Sequence, residues 1–373
     1  MAYYRQKGNK WYYTISYVDK NGDKHKIEKP GGYTKAEAKK AARNAMSDVD
    51  KYGTVRENAS KGRTIEDLML EWLDDVIKVE AKHNTARSYE SAIRNHIIPD
   101  IGSMKLSTVT PKKLQTYLNS KRDKYGKGTL TKLTTILKNA FKYAVRFAEY
   151  LPTDPAAVIN EPKSEKTPQK VLPFKLEHMA LIFEKFPLGH QYHAPAILSY
   201  NTGMRIGECL ALKWEDIDFD NRIINVHKTM ITKDKMAVIQ ESPKTSPSIR
   251  QIKFGQKLYT ELKQIKLYQD RKKLEMGALY ERNNMVCDWH NGKLFKTDNI
   301  NYFNKFCRQT FGRGYSFHSF RHAHATMLLE AGEDLEIVSK RLGHSNINTT
   351  ARVYSHVLEN RNTTLVRRLD EIL

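Results

Sequence analysis

The spacing of hydrophobic positions changes along the chain, and each change marks a different kind of element. Trp11, Tyr13, Ile15 and Tyr17 alternate with Tyr12, Thr14 and Ser16. A period of two is the pattern of a strand. Asn21-Gly22 follows, a strong hairpin signal, and then a short run from His25 to Lys29. Thr34 and Glu37 stand at capping-box spacing before an Ala- and Lys-rich stretch, so a helix is expected from about residue 34. Gly53 can end it in a left-handed conformation.

From residue 62 to 160 the period becomes helical. Thr64 caps a first helix with Leu68, Trp72, Leu73 and Val76 on one stripe. A second runs from about Thr85 to Ile98 and is ended by Pro99. Thr110-Pro111 opens a third, a capping residue followed by proline at the first helical position. The fourth covers roughly Leu130 to Tyr150, with Leu133, Leu137, Ala140, Phe141, Ala144 and Phe147 inward. Pro152, Pro155, Pro162 and Pro168 then break the pattern as a linker would. Beyond it, helices are expected near 175–186, 191–202 and 205–213, a strand-rich patch near 222–254 with turns at Pro243 and Pro247, and further helices to the C-terminus. The segment 274–300 has weak periodicity. The expected fold class is mainly α with small β elements (α+β): an N-terminal three-stranded sheet plus helix, a helical module, and a mixed α-rich domain with a small antiparallel sheet. The expected division is 1–61, 62–160, a linker at 161–172, and 173–373.

Charge adds a partner to this picture. The 373 residues carry 63 Lys and Arg against 42 Asp and Glu, a net charge of +21. Such a surplus points to a polyanion, most often nucleic acid. The charge is unevenly placed: residues 1–61 have 14 basic and 7 acidic residues, 62–104 have 5 and 8, and 105–146 have 11 and one, Asp123. A sharp basic block on helices suits a phosphate backbone better than solubility alone, and a basic, aromatic N-terminal sheet of this size could enter a major groove. The three cysteines, Cys209, Cys287 and Cys307, are far apart and odd in number, which argues against a disulfide framework or a cysteine-based zinc finger. No apolar stretch has membrane-helix length and no signal-peptide core is present, so a cytoplasmic, nucleoid-associated protein without a membrane partner is expected.

Four patches in the third domain carry candidate chemistry: Thr-Gly-Met-Arg-Ile-Gly-Glu at 202–208, Pro243-Lys244, His-Ser-Phe-Arg-His at 318–322, and Leu-Gly-His-Ser at 342–345, with Tyr354 ten residues after His344. Arginine forks fit phosphate oxygens. A tyrosine beside them is a candidate nucleophile, because positive neighbours favour the phenolate. Lysine and histidine can move protons. His318 and Arg321 lie where a helix begins, with Ser319 a plausible cap, and helix-start amides favour an anion. Taken singly, each signal is weak; Tyr354 is one of 20 tyrosines.

In order and spacing the patches resemble the tyrosine recombinase family, especially integrases of temperate phages and conjugative transposons. Arg205, Lys244, His318, Arg321, His344 and Tyr354 fill the six family positions. Ser319 stands where many relatives carry Asp. The resemblance implies an arm-binding module at 1–61, a helical core-binding (SAM-like) module at 62–160 and a catalytic domain at 173–373. It also implies a mechanism in which Tyr354 attacks a scissile phosphate, giving a 3′-phosphotyrosyl link. Arg205, Arg321 and His344 would hold the non-bridging oxygens, Lys244 would protonate the leaving 5′ oxygen, and His318 would assist as acid or base. Lys228 and Lys253 are alternatives to Lys244. No cofactor, metal or ATP is implied. The partners implied are double-stranded attachment-site DNA, three further copies on synapsed DNA, and an excision or directionality factor. Glu208 reads as a structural partner for Arg205 or a local amide. Leu365, Val366, Leu369 and Ile372 suit a short amphipathic tail that packs in cis or on a neighbour.

Two rival readings stay open at this point. His318, His322 and His324 could serve a metal-dependent phosphoesterase, although no nearby acid completes a metal motif and His322 and His324 read better as packing residues. A non-catalytic DNA-binding factor would use the same basic helices and sheet but has no need of Tyr354.

Overall fold

The computed structural model describes residues 2–19, 22–52, 62–167, 170–241 and 249–355. The chain divides into two compact units, Met1–Pro168 and Gln169–Leu373. Lys244, Pro243, Pro247, Gly53 and the tail from residue 356 lie outside the described residues.

The first unit opens with an antiparallel sheet in the order β1 (Ala2–Lys7), β2 (Lys10–Val18), β3 (Lys24–Gly32), followed by α1 (Lys35–Tyr52). The period-two residues do divide between faces: Tyr13 and Ile15 are buried and pack with Ala42 and Ala45 of α1. Thr34 and Glu37 make the expected reciprocal cap, the Glu37 amide donating to the Thr34 hydroxyl at 3.2 Å and the Thr34 amide to Glu37 Oε2 at 3.3 Å. On the face away from α1, Arg5 is held to Glu28 at 2.5 Å and Lys7 to the same carboxylate at 2.9 Å.

The helical part of this unit comprises α2 (Ile65–Trp72), α3 (Lys78–Glu80), α4 (His83–Ala92), α5 (Ile98–Ile101), α6 (Pro111–Asn119) and α7 (Lys127–Arg146). Thr64 caps α2 and Thr110 caps α6, each by accepting the amide three residues on. Leu68, Trp72, Leu73, Leu133, Leu137, Ala140, Phe141 and Ala144 form one core. Two expectations need correction. Pro99 does not end the second helix, which runs on to Ile101. The turn Ile93–Ile97 is a π-helical one, and the Ile98 amide reaches back to the Ile93 carbonyl. The ladder is thus already opened where Pro99 has no N–H to give. Phe147 is not inward: α7 stops at Arg146, and Phe147 is 79% exposed at its C-cap.

The basic block is mostly exposed, with two exceptions. Lys121 is buried and paired to Asp100 at 2.8 Å, and Lys132 donates to Ser88 at 2.6 Å. Lys105, Lys112, Lys113, Arg122, Lys124, Lys127, Lys138, Lys142 and Arg146 face solvent.

The second unit is a helical domain around one large core, with small antiparallel sheets at its side. Its helices are α8 (Leu176–Lys185), α9 (His193–Thr202), α10 (Ile206–Ala211), α11 (Gln256–Met276), α12 (Ile300–Thr310), α13 (His318–Glu330), α14 (Leu335–Leu342) and α15 (Ile347–Val353). The strand-rich patch resolves into a sheet β4 (Ile217–Asp218), β5 (Ile223–Val226), β8 (Arg250–Lys253) and a separate hairpin β6 (Thr229–Lys233), β7 (Met236–Gln240). The aperiodic stretch 274–300 holds the end of α11, a two-stranded ribbon β9 (Asp288–Trp289), β10 (Lys293–Leu294) and short turns. Strands that short cannot display a period.

Candidate active site

The end of α9 and the start of α10 form one corner of the site. Gly203 takes a left-handed conformation, φ +71°, and a Cβ there would lie 2.6 Å from Leu342 and 2.9 Å from His324. Gly207 is equally confined, since its Cβ would meet the Thr229 hydroxyl at 2.5 Å. The two glycines let the Arg205 turn pack against α14 on one side and β6 on the other.

Arg205 is fixed by three contacts. Its amide donates to Glu208 Oε2 at 2.9 Å, Nη1 to Glu208 Oε1 at 2.9 Å, and Nη2 to the Gly343 carbonyl at 3.0 Å. Glu208 therefore serves both the side chain and the amide. It also binds Arg250, whose Nη2 reaches Oε2 at 2.9 Å, while Arg250 Nε donates to the Arg341 carbonyl at 2.8 Å. Burial pushes the Glu208 carboxyl up, but the hydrogen bond and charge of Arg250, with the charge of Arg205, hold it below the ordinary value. Arg250 carries no motif that sequence reasoning could use, yet it ties β8 to Glu208 and to the end of α14.

Arg321 comes from the first turns of α13 and is 2% exposed. Its Nη1 donates to the Gly203 carbonyl at 2.6 Å, while its Nη2 is buried without a hydrogen-bond partner among the described residues. Desolvation, then Arg205, lowers its guanidinium to about 9, with Glu208 opposing. Ser319 does not cap α13; its hydroxyl accepts the Ser316 amide at 3.1 Å from one residue inside the helix. His318, at the rim, is pushed down to about 4 by desolvation and then by His322, Arg321, Arg205 and His344. His344 follows Gly343 and bonds the Thr350 hydroxyl through Nδ1 at 2.7 Å. It too is held at about 4, by desolvation and then by Arg321, Arg205 and Arg250.

Tyr354 ends α15 and is 3% exposed, its ring among Ala325, Leu329, Val338 and Leu342. Its hydroxyl lies 3.0 Å from His322 Nδ1. Burial raises the phenol to about 12, and Arg321 pulls it down only in part. The expectation that positive neighbours would favour the phenolate is thus reversed in the free protein, because the ring is desolvated before any phosphate arrives.

The structure therefore brings Arg205, His318, Arg321, His344 and Tyr354 together. Lys228 is held at carboxylates instead, 3.6 Å from Asp216 and 4.0 Å from Glu215. Sequence reasoning passed over Arg250 and read His322, one turn beyond His318 on the same helix face, as a packing residue rather than a site residue. His324 serves the fold. Its Nε2 accepts from Arg341 Nε at 3.0 Å, so Nδ1 carries the proton and donates to the Tyr200 carbonyl at 2.9 Å. Among the described residues no group of three or more His, Cys, Asp or Glu could hold a metal ion.

His324 is 5% exposed and held at about 4 against 6.5, by desolvation and then by Arg341. Above pH 6.5 it is neutral folded or unfolded and contributes no pH dependence. As pH falls toward 4 the unfolded chain takes up a proton that the native ring refuses, so stability is lost over that window, by about 3 kcal/mol. Urea titrations between pH 7.5 and 4 should show this loss on top of those of His318 and His344, and His324→Gln should reduce the total by about 3 kcal/mol.

A model described as the phage integrase family matches residues 171–361. The chain belongs to the phage integrase family. A second model, the phage integrase N-terminal SAM-like domain, matches residues 64–122 of this recombinase. It is 33% identical over 333 residues to a tyrosine recombinase XerC-like protein of Caldanaerobacter subterraneus subsp. tengcongensis, covering 83% of each chain. It is 32% identical over 176 residues to the ICEBs1 integrase of Bacillus subtilis, covering 47% of this chain and 48% of that one. The fold is similar to that of the Tn1549 transposon integrase in complex with transposon right end DNA, at TM-score 0.63, 20% identity, and coverage of 82% and 99%. It is also similar to a lambda integrase tetramer bound to a Holliday junction, at TM-score 0.55, 18% identity, and coverage of 94% of both chains. The integrase is thus a tyrosine recombinase, an enzyme that cleaves and rejoins DNA, with an α+β fold of the expected class. No described helix is long and apolar enough to cross a membrane.

Proposed function

We propose that Tyr354 is the nucleophile of this recombinase and that the enzyme integrates and excises a mobile element or prophage. Tyr354 Oη attacks the scissile phosphate as the bond to the 5′ oxygen breaks, giving a 3′-phosphotyrosyl link. A 5′ hydroxyl from the partner strand then reverses the step. Arg205, Arg321 and His344 bind the non-bridging oxygens, where positioning and charge stabilisation do most of the work. With the Thr350 hydroxyl donating to Nδ1, the proton of His344 sits on Nε2 and can face an anion. Lys244 protonates the leaving oxygen and His318 assists. Built-in cations take the place that metals fill in other phosphoryl-transfer sites, and bond exchange conserves energy, so neither metal nor ATP is needed.

The observation that carries this reading is the partnerless Nη2 of Arg321, a buried charge-bearing donor beside the buried Tyr354. An orphan of that kind is costly unless a ligand completes it. The remaining parts follow the same reading: residues 1–61 bind arm-type DNA, 62–160 clasp the core site through the exposed basic block, 161–172 link, and 173–373 catalyse. Four copies act on synapsed DNA at the nucleoid, and a directionality factor sets the balance between integration and excision.

The test uses a duplex bearing the end sequence of the encoding element, nicked so that the 5′ fragment diffuses away, in EDTA. A protein–DNA adduct that survives denaturing electrophoresis is expected, and after nuclease trimming the nucleotide should map to the tryptic peptide Val353–Arg361. An adduct on another peptide, or one that requires a divalent ion, would overturn the reading. Binding without any adduct would leave the DNA-binding-factor reading in its place.

A further inference from the structure

The proposed nucleophile is protonated in the free protein, and something must take its proton. A phenol held near 12 supplies only on the order of one phenolate in 10⁵ at neutral pH. An activated hydroxyl nucleophile needs a base within hydrogen-bond reach. His344 Nδ1 is engaged by Thr350 at 2.7 Å. His318 lies beyond His322, their rings edge-on with centroids 5.0 Å apart. The imidazole that touches the phenol is His322: its Nδ1 is 3.0 Å from Tyr354 Oη, with ring centroids 5.5 Å apart. Its backbone neighbour Arg321 fixes the same turn of α13 to the Gly203 carbonyl, so the helix that presents the base also carries a phosphate-binding arginine.

We propose that His322 is the general base for Tyr354, an inference that rests on Tyr354 being the nucleophile. The neutral ring accepts through Nδ1 and carries its own proton on Nε2. As the Oη–P bond forms and the bond from phosphorus to the 5′ oxygen breaks, the Oη proton passes to His322 Nδ1. The leaving oxygen takes its proton from the separate acid already assigned. In rejoining, the imidazolium returns its proton to Oη as the phosphotyrosyl bond breaks, so the ring ends as it began. The titratable and charged groups around the pair are His318 and Arg321 on α13, Arg205 ahead of α10, and His344 after α14. The two arginines oppose a positive His322 ring until the anionic phosphate has entered, while His318 and His344 stay neutral. The proton transfer is thereby tied to substrate binding.

The test is single-turnover adduct formation by the full chain on the nicked element-end duplex, from pH 5 to 9. His322→Asn places an amide oxygen near the Nδ1 position, where it accepts a hydrogen bond but not a proton. This variant should bind the DNA as wild type does and form adduct about 10² to 10⁴-fold more slowly. Its rate should lose the limb on which wild type rises as an imidazole deprotonates, and climb instead with hydroxide. His322→Ala should regain activity in proportion to imidazole added to the buffer. A wild-type rate in His322→Asn would overturn the proposal. So would a slow variant that keeps the wild-type pH profile and ignores imidazole, since that is the behaviour of a positioning residue. If wild type itself forms no adduct, the nucleophile assignment falls first and this inference with it; an adduct in wild type with an indifferent His322→Asn sinks the base alone.

Discussion

Tyr354→Phe is expected to bind DNA undiminished and to form no covalent adduct at any pH. The substitution removes one oxygen and leaves the ring among Ala325, Leu329, Val338 and Leu342. What the fold loses is a single hydrogen bond, to His322 at 3.0 Å, whose net worth is about 1 kcal/mol. Unfolding should therefore shift little, while adduct on denaturing gels falls below detection. The comparison is sharpened by His322→Asn, which should remain slow but active, because its nucleophile is intact. Adduct formation by Tyr354→Phe would mean that another side chain attacks.

Arg321→Met should carry the same pairing further, with activity lost and stability kept or raised. Arg321 is among the largest fully buried side chains and makes one described hydrogen bond, through Nη1, while Nη2 has none. Burying a charge without full compensation costs several kcal/mol, and replacing such groups by apolar ones of similar volume is often neutral or stabilising. The methionine leaves the Gly203 carbonyl short of a donor, which offsets part of the gain. Cleavage should fall much further. Loss of one preorganised donor to a developing oxyanion costs about 10² to 10³-fold, and here the charge goes with it, so a loss on the order of 10³-fold or more is expected. Thermal unfolding and single-turnover cleavage on the same preparation check both halves. A variant that unfolds readily would show that Arg321 is a structural ion rather than a site held in reserve for phosphate.

These expectations rest on a site that was largely legible in the sequence. Short motifs name their own residues, and helices α2 and α6 announce themselves by caps and α7 by its apolar stripe. What stayed hidden has physical reasons. Pro99 normally marks a helix end, but the π turn at Ile93–Ile97 removes the conflict, and nothing local in the sequence reports such a turn. Phe147 continues the apolar stripe of α7 yet lies past its end, where the chain bends through Glu149 at φ 52°. Arg250 is assigned by a register, pairing with Val226 across β5 and β8, and its partners Glu208 and the Arg341 carbonyl are 42 and 91 residues away. His322 was visible as a histidine, but its meeting with Tyr354 depends on how α15 returns to α13. The burial that raises the Tyr354 phenol is likewise a property of packing, and opposite in sign to what the neighbouring charges alone suggest.

The Glu208 carboxylate bears on more than the placement of Arg205. With both histidines at the rim held neutral near pH 7, the charged side chains described around the phosphate position are Arg205, Arg250, Arg321 and Glu208. Three positive charges and one negative leave a surplus of two. A phosphodiester at rest carries one negative charge, whereas the five-coordinate phosphorus reached during strand exchange carries two. The internal counterion thus trims the described surplus from three to two, and with the proposed Lys244 adding a charge of its own the pocket stays positive enough to favour the fleeting dianion over the bound ester.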